Sequence, residues 1–442
     1  MRAGGPRTQA PARERVWKGV PLKQGDGETG FSPSSSLRRG AGRASPSRPL
    51  IGYAGYPDRL LMHAAADDEA TEIELLVAEL AGRIGPRRPT SAEEARAAAF
   101  VNGRLRRAGM GVSAYELRVV PRAGTTYALF AALGMAGAAL AFFFPWLGLL
   151  WGLGLLAIAL ADAFVAPLPP LGPCRVSQNI VGTRAIAEAA GAPPLQPRWR
   201  VVVLAPLDTP PLQRGLTVLA GSGRSAALAR LAAAALLVAG ALGALLLPGP
   251  WWLLQGGAGL LFGLILIGAM RPLTPDPSDG GCAALAALVS AVTRLGALER
   301  AEVWAVAVGA ASSDPWGVIS LLRRYPFEPE RTLVIALESL GAGQLVYATA
   351  EGALRSRAAD ALLVRLAAAA DAADPHIDAD PRHLTTESVL TAPLRRLGYR
   401  TLTVTAHAAP GAAPHAAPNA TRLVERAARL VASLARQIDA EP

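Results

Sequence analysis

Lysine is almost missing from this chain: Lys18 and Lys23 are its only two, and every other basic side chain is arginine. Cysteine is nearly as scarce. Cys174 and Cys282 could form a single bridge at most, which excludes a disulfide framework and leaves a reducing compartment as the natural reading. Charge is low too, at 18% of 442 residues, where a soluble domain carries about 25%. With 51% hydrophobic residues and a mean hydropathy of +0.29, an ordinary soluble enzyme and a disordered chain are both disfavoured. The sequence also lacks a serine-hydrolase elbow, a C-x-x-C pair and a phosphate-cradling glycine loop. GSGRS at Gly221 leads into an apolar run instead of following a strand.

The positive charge is unevenly placed. Residues 1–60 hold eleven Lys or Arg against four Asp or Glu, which accounts for most of the net +10. A pI near 10.3 therefore describes the N-terminal stretch, and nucleic acid is not an expected partner. Residues 1–61 are rich in Gly, Pro, Ser and Arg, without an apolar period that could offset the entropy of folding, and read as a disordered basic tail. No secretory h-region is present. A second reading stays open, in which Met62 is the initiator.

Apolar runs are abundant. YALFAALGMAGAALAFFF covers 127–144 and LGLLWGLGLLAIALADAFVA covers 147–166, with Pro145 and Trp146 between them; 231–247 and 251–270 repeat the design around Pro248 and Pro250. Each run approaches the roughly 20 residues needed to cross a bilayer core. Turns this short make neighbouring helices antiparallel, so the expectation is two transmembrane hairpins and an integral membrane protein partnered by the lipid bilayer. The hairpin tips carry no charge. Arg118, Arg122, Arg175, Arg224, Arg230 and Arg271 stand at the other ends, which places the hydrophilic segments in the cytoplasm. Arg230 is expected to snorkel to the interface and Asp162 to lie at headgroup level. With only Asp162 and Gln255 as strongly polar side chains, the spans read as anchors without a transport path.

The remaining pieces alternate strand-like and helix-like patterns. Two helices are expected around GRIGPRRPTS, with Thr90 or Ser91 as N-cap and Glu93 and Glu94 in the first turn. Strands are expected at 200–204, 303–308, 331–337 and 401–405, and helices at 282–295, 358–370 and 420–438. The acid-rich DPHIDADPRH around His376 and His383 reads as an exposed loop. This alternation predicts an α/β fold with a mostly parallel sheet flanked by helices, interrupted by the two hairpins. The implied boundaries are a tail (1–61), a first part of the α/β domain (62–122), hairpin one (123–167), a second part (168–224), hairpin two (225–271) and a third part (272–442).

GRIGPRRPTSAEEARAAAFVNGRLRRAGMGV, SQNIVGT, VVVLAPLDTPP, PSDGGCAALAAL, VWAVAVGAASSDPWG, TLVIALESLG and LGYRTLTVTA, in this order, resemble the co-catalytic di-zinc aminopeptidases, the family that includes the glutaminyl cyclases. The resemblance implies a zinc-aminopeptidase-like domain over about 75–440. In such enzymes paired zinc ions activate a water and a glutamate moves its proton. Aligned on the motifs, the first histidine ligand falls on Pro206, the bridging aspartate on Pro277, the Glu-Glu pair on Ala311 and Ser312, and the last histidine on Ala416. Asp208 keeps the place of the aspartate that orients that first histidine, and Glu338 stands where a ligand aspartate is expected. Asp208, Asp276, Asp279, Glu338 and His415 are the only candidates left for a metal site. The resemblance thus implies a membrane-anchored, non-catalytic relative with no cofactor, whose cleft binds a peptide or protein or organises a membrane complex. The alternative is a working metallo-aminopeptidase with rearranged zinc ligands.

Overall fold

The computed structural model describes residues 70–121, 124–187, 196–221, 223–275, 280–312, 315–352, 354–407 and 418–441, all within the unit Asp58–Pro442. A helical stretch, 70–84, ends in a π-helical segment, Ala78–Ile84, and forms α1. Helix α2 (Ala92–Arg107) starts on Ser91, whose side chain accepts from the Glu94 N–H. Among the described residues, nine strands then build one sheet: β1 (Gly111–Val119), β2 (Arg175–Arg184), β3 (Trp199–Pro206), β4 (Ala301–Val308), β5 (Thr332–Glu338), β6 (Gln344–Glu351), β7 (Arg357–Ala358), β8 (Asp380–Leu384) and β9 (Arg400–His407). Their order is β1-β2-β4-β3-β5-β9-β6-β7, with β8 also paired to β6.

The central strands β4, β3, β5 and β9 are parallel, and their runs of valine, isoleucine and leucine are buried on both faces. Side chains alternate with period two. Val201, Val203, Val303, Ala305, Leu333 and Ile335 meet α2, α7 (Gly280–Arg294), α9 (Ala361–Ala373) and α11 (Pro418–Ala440) on one face. Val202, Leu204, Val306, Val334 and Ala336 meet α8 (Trp316–Arg324) and α10 (Thr391–Arg396) on the other.

The sheet is mixed, which corrects the expectation of a mostly parallel one: β1 with β2, β2 with β4, β6 with β9 and β6 with β7 are antiparallel. For β1 and β2 the cause is the first hairpin insertion. A helical hairpin returns the chain to the end it left, so β2 must run back against β1. The expected loop around His383 is likewise a strand, β8, in which His383 Nε2 lies 2.9 Å from the Ser356 hydroxyl.

Among the described residues, four helices are long and apolar enough to cross a membrane: α3 (Gly124–Phe143), α4 (Pro145–Phe164), α5 (Arg224–Leu246) and α6 (Trp252–Met270). They pack as one bundle around Phe130, Leu237, Phe262 and small residues, with α3 against α6 and α4 against α5. Glycine makes this closeness possible: a Cβ at Gly148 would collide with Ala141 across the first hairpin. The outside of the bundle shows bare apolar side chains, among them Leu150 at 61% and Leu260 at 68% exposure, a surface suited to lipid and not to water.

The third apolar helix starts earlier than the sequence suggests, at Arg224, so Arg230 lies inside α5, against the expectation of an interfacial side chain. Arg230 and Asp162 form a 2.7 Å ion pair, each side chain only 3% exposed, that ties the two hairpins together. Gln255 is also buried, and donates to the Ala141 carbonyl at 3.2 Å.

Candidate binding cleft at the carboxyl end of the sheet

Strand directions decide where the cleft lies. Because β2 opposes both β1 and β4, the ends of β1, β3, β4, β5 and β9 all fall on one side. The chain leaves for the first hairpin after β1 and for the second after β3, so both hairpins spring from this carboxyl end. Open α/β sheets bind ligands at that end.

The floor of the cleft is built around Glu94. Its Oε1 accepts from the Ala310 N–H at 2.8 Å and the Ser177 hydroxyl at 2.9 Å, and its Oε2 from the Thr90 N–H at 2.5 Å. Thr90 and Ala310 have φ of 63° and 51°, left-handed conformations that cost a non-glycine residue about 1 kcal/mol or more. One carboxyl group therefore holds two strained turns from different parts of the chain. Burial first, and then the nearby charge of Asp208, push Glu94 up to about 7, against the pull of its hydrogen-bond donors.

Asp208 follows β3 and is fully buried. Its Oδ2 accepts from the Ser312 N–H at 3.0 Å and from the Ser312 hydroxyl, whereas its Oδ1 has no hydrogen-bond partner among the described residues. Burial raises its pKa as well. Beside it, buried Arg87 donates to the Leu207 carbonyl and to Cys282 Sγ, both at 2.7 Å, locking the loop after β3 to the start of α7. Glu338, at the end of β5, has Oε1 taken by the Ser388 hydroxyl at 2.6 Å and the Leu390 N–H at 3.1 Å; burial raises it to about 7, and Glu351 adds to the shift. Glu351 is itself buried and paired with Arg395 at 2.9 Å.

Above these acids opens a cavity of about 1320 Å³, enclosed between the sheet end and the near ends of the four apolar helices. Its polar wall is strongly cationic. Arg357 and Arg396 share Glu387, and Arg230 has Asp162. Among the described residues, no acid pairs with the other four lining arginines, Arg88, Arg175, Arg271 and Arg355. The rest of the wall is mostly apolar, and Phe164, Val165, Met270 and Leu273 remain exposed where it meets the bundle.

Of the five candidate metal ligands, Asp276, Asp279 and His415 lie outside the described residues. Asp208 and Glu338 stand at the ends of adjacent strands, but each is committed to internal donors. No cluster of three His, Cys, Asp or Glu able to hold a metal occurs among the described residues, and zinc requires about that many protein donors. The described residues alone therefore do not fit zinc. Glu94 was visible in the sequence only as a first-turn acid; the spacing Ser91-x-x-Glu94 is the signal that it reaches back over the helix start. The arginine wall left no local signal, since its members are scattered from 88 to 396.

No protein-family model matches the chain, and a search of curated proteins returns no relative. Among solved structures, the chain is similar to a zinc aminopeptidase from Bacillus subtilis, with a TM-score of 0.47 and 12% identity over 83% of this chain and 94% of that one. It is also similar to an aminopeptidase from Aneurinibacillus sp. strain AM-1 (TM-score 0.44, 13% identity, 84% and 93% covered). A third is glutaminyl cyclase from Porphyromonas gingivalis (0.40, 11%, 84% and 96%). At this level the likeness assigns no chemistry to this chain.

Proposed function

We propose that this is a four-span membrane protein, with its hydrophilic domain in the cytoplasm, whose cleft binds a partner without hydrolysing it. The observation that carries the reading is Ser312. It occupies one of the two positions where the resemblance requires a glutamate, and its N–H and hydroxyl both serve Asp208. With Ala311 beside it, these two positions supply neither a metal ligand nor a base. Proline at 206 removes a further donor atom. The arginines of the cavity wall add an electrostatic argument, because like charge disfavours a pair of divalent cations.

The second reading, an active metallo-aminopeptidase, draws support from the unpartnered Oδ1 of Asp208, an acceptor placed at the floor of the cleft. Metal analysis of the detergent-extracted protein, together with aminoacyl-anilide hydrolysis, separates the two. The expected result is substoichiometric zinc and no turnover. Two zinc ions per chain with chelator-sensitive hydrolysis would establish the second reading instead.

A further inference from the structure

We propose that the cleft cavity takes the phosphate headgroup of an anionic phospholipid drawn from the surrounding bilayer. The inference names the ligand class of the binding site proposed above and rests on the membrane reading of the four helices. Three observations meet here. The cavity lies where the apolar helices join the sheet end, which on the membrane reading is the depth of lipid headgroups. Among the described residues, Arg88, Arg175, Arg271 and Arg355 line it without acidic partners, while the two described lining acids, Asp162 and Glu387, are each already paired with arginine. Exposed Phe164, Val165, Met270 and Leu273 continue the wall toward the bundle and offer a path for acyl chains.

Guanidinium groups match phosphate oxygens through paired N–H donors. Basic pockets between spans on the cytoplasmic side are suited to anionic headgroups. A zwitterionic lipid would bring its own cation against four arginines and is discriminated against. A peptide is a weaker fit, since its N-terminus is cationic and the described residues of the wall offer no unpaired acid to meet it.

The test uses the full chain in nanodiscs and native mass spectrometry, with phosphatidylglycerol and phosphatidylcholine offered in equal amounts. Retention of about one phosphatidylglycerol per chain is expected, falling about thirty-fold in the double variant R175Q/R271Q. The variant R331Q, on the surface away from the cavity, should retain the lipid as the parent does. Equal retention of both lipids, or undiminished retention in R175Q/R271Q, overturns the proposal. Displacement of the lipid by millimolar inorganic phosphate would make the site one for free phosphate and likewise overturn it. Displacement by a short basic or neutral peptide would return the cleft to a peptide partner. Release of the chain from membranes by alkaline carbonate would instead sink the membrane reading itself.

Discussion

Neutralising Asp162 should expose how far the bundle depends on one ion pair. Arg230 Nη2 lies 2.7 Å from Asp162 Oδ2, its Nη1 donates to the Gly221 carbonyl at 2.9 Å, and its guanidinium sits 4.3 Å from the Tyr127 ring centroid. Asp162 also accepts from the Leu168 N–H at 2.9 Å, so it organises the exit from α4 as well. Both side chains are almost fully buried. Removing one partner of such a pair leaves an uncompensated charge and costs about 3–5 kcal/mol, whereas replacing both with apolar residues of similar volume is close to neutral. An ordinary polar contact between membrane helices is worth only about 0.6 kcal/mol. The size of the coupling therefore distinguishes the two cases.

The assay is a double-mutant cycle of D162N, R230M and D162N/R230M in a fixed detergent, read by tryptophan fluorescence during denaturation. Each single variant should lose about 3 kcal/mol or more, and the double should lose less than the two single losses combined by at least about 2 kcal/mol. D162N keeps an oxygen for Leu168, so the loss reports the charge. Additive losses, with a coupling below about 0.5 kcal/mol, would refute the reasoning and return Asp162 to the role of a solvated headgroup-level residue.

Three further outcomes follow from the cleft and its setting. Glu94 keeps its proton in the fold up to about pH 7 and loses it near 4.5 when unfolded, so its contribution is fully present below 4.5 and fades as pH rises through 7. That gap corresponds to roughly 3 kcal/mol; the drop in melting temperature between pH 5 and pH 8 should shrink in E94Q, and an unchanged pH profile would count against it. In G309A the new methyl would meet the Gln178 carbonyl and Ser177 Oγ, the latter a donor to Glu94; a loss of about 2–3 kcal/mol in chemical denaturation is expected, and wild-type stability would show that β2 and the turn after β4 are not held this close. Cys174 is exposed and Cys282 buried, so a membrane-impermeant maleimide should label Cys174 alone, in inverted vesicles and not in intact cells; labelling from outside would reverse the proposed orientation.

The parallel centre of the sheet was legible because buried strands write themselves as continuous β-branched runs, as in Val201–Leu204 and Thr332–Leu337. The edge strands were not. In β1 the exposed and half-buried positions dominate, and in β8 DPRHL contains proline and charge, so neither has a hydrophobic pattern to read. Their strand character comes from neighbours, β2 and β6, that local sequence does not announce. The four apolar helices are plain from length and composition, but Arg230 reads locally as an interfacial residue because its partner, Asp162, is 68 positions away. At the site, Asp208 and Glu338 were found from the resemblance, Glu94 was seen only as a helix-start acid, and the cavity arginines became a group only through the fold.

The arrangement of charge at the sheet end has an internal logic. A metal centre needs its carboxylates facing the ligand and ionised, with cations kept away. Here the order is reversed: Glu94, Asp208 and Glu338 lie beneath the cavity, tied to Ala310, Ser312 and Ser388, and burial holds all three toward their protonated forms. Protonation lowers the cost of burying acids below a cationic wall, because a neutral carboxyl neither demands solvent nor draws the arginines inward. The guanidinium groups of Arg88, Arg175, Arg271 and Arg355 are thereby left for whatever enters the cavity. The acids can then be retained for their hydrogen bonds alone, most clearly at Glu94, where replacing the carboxyl by a methyl would strand the N–H groups of Thr90 and Ala310 in two left-handed turns. On this argument E94A should unfold the cleft even if the protein never handles a metal ion, while E94Q, which keeps one of the two acceptor oxygens and turns an NH2 toward the other N–H, should lose stability but less than E94A.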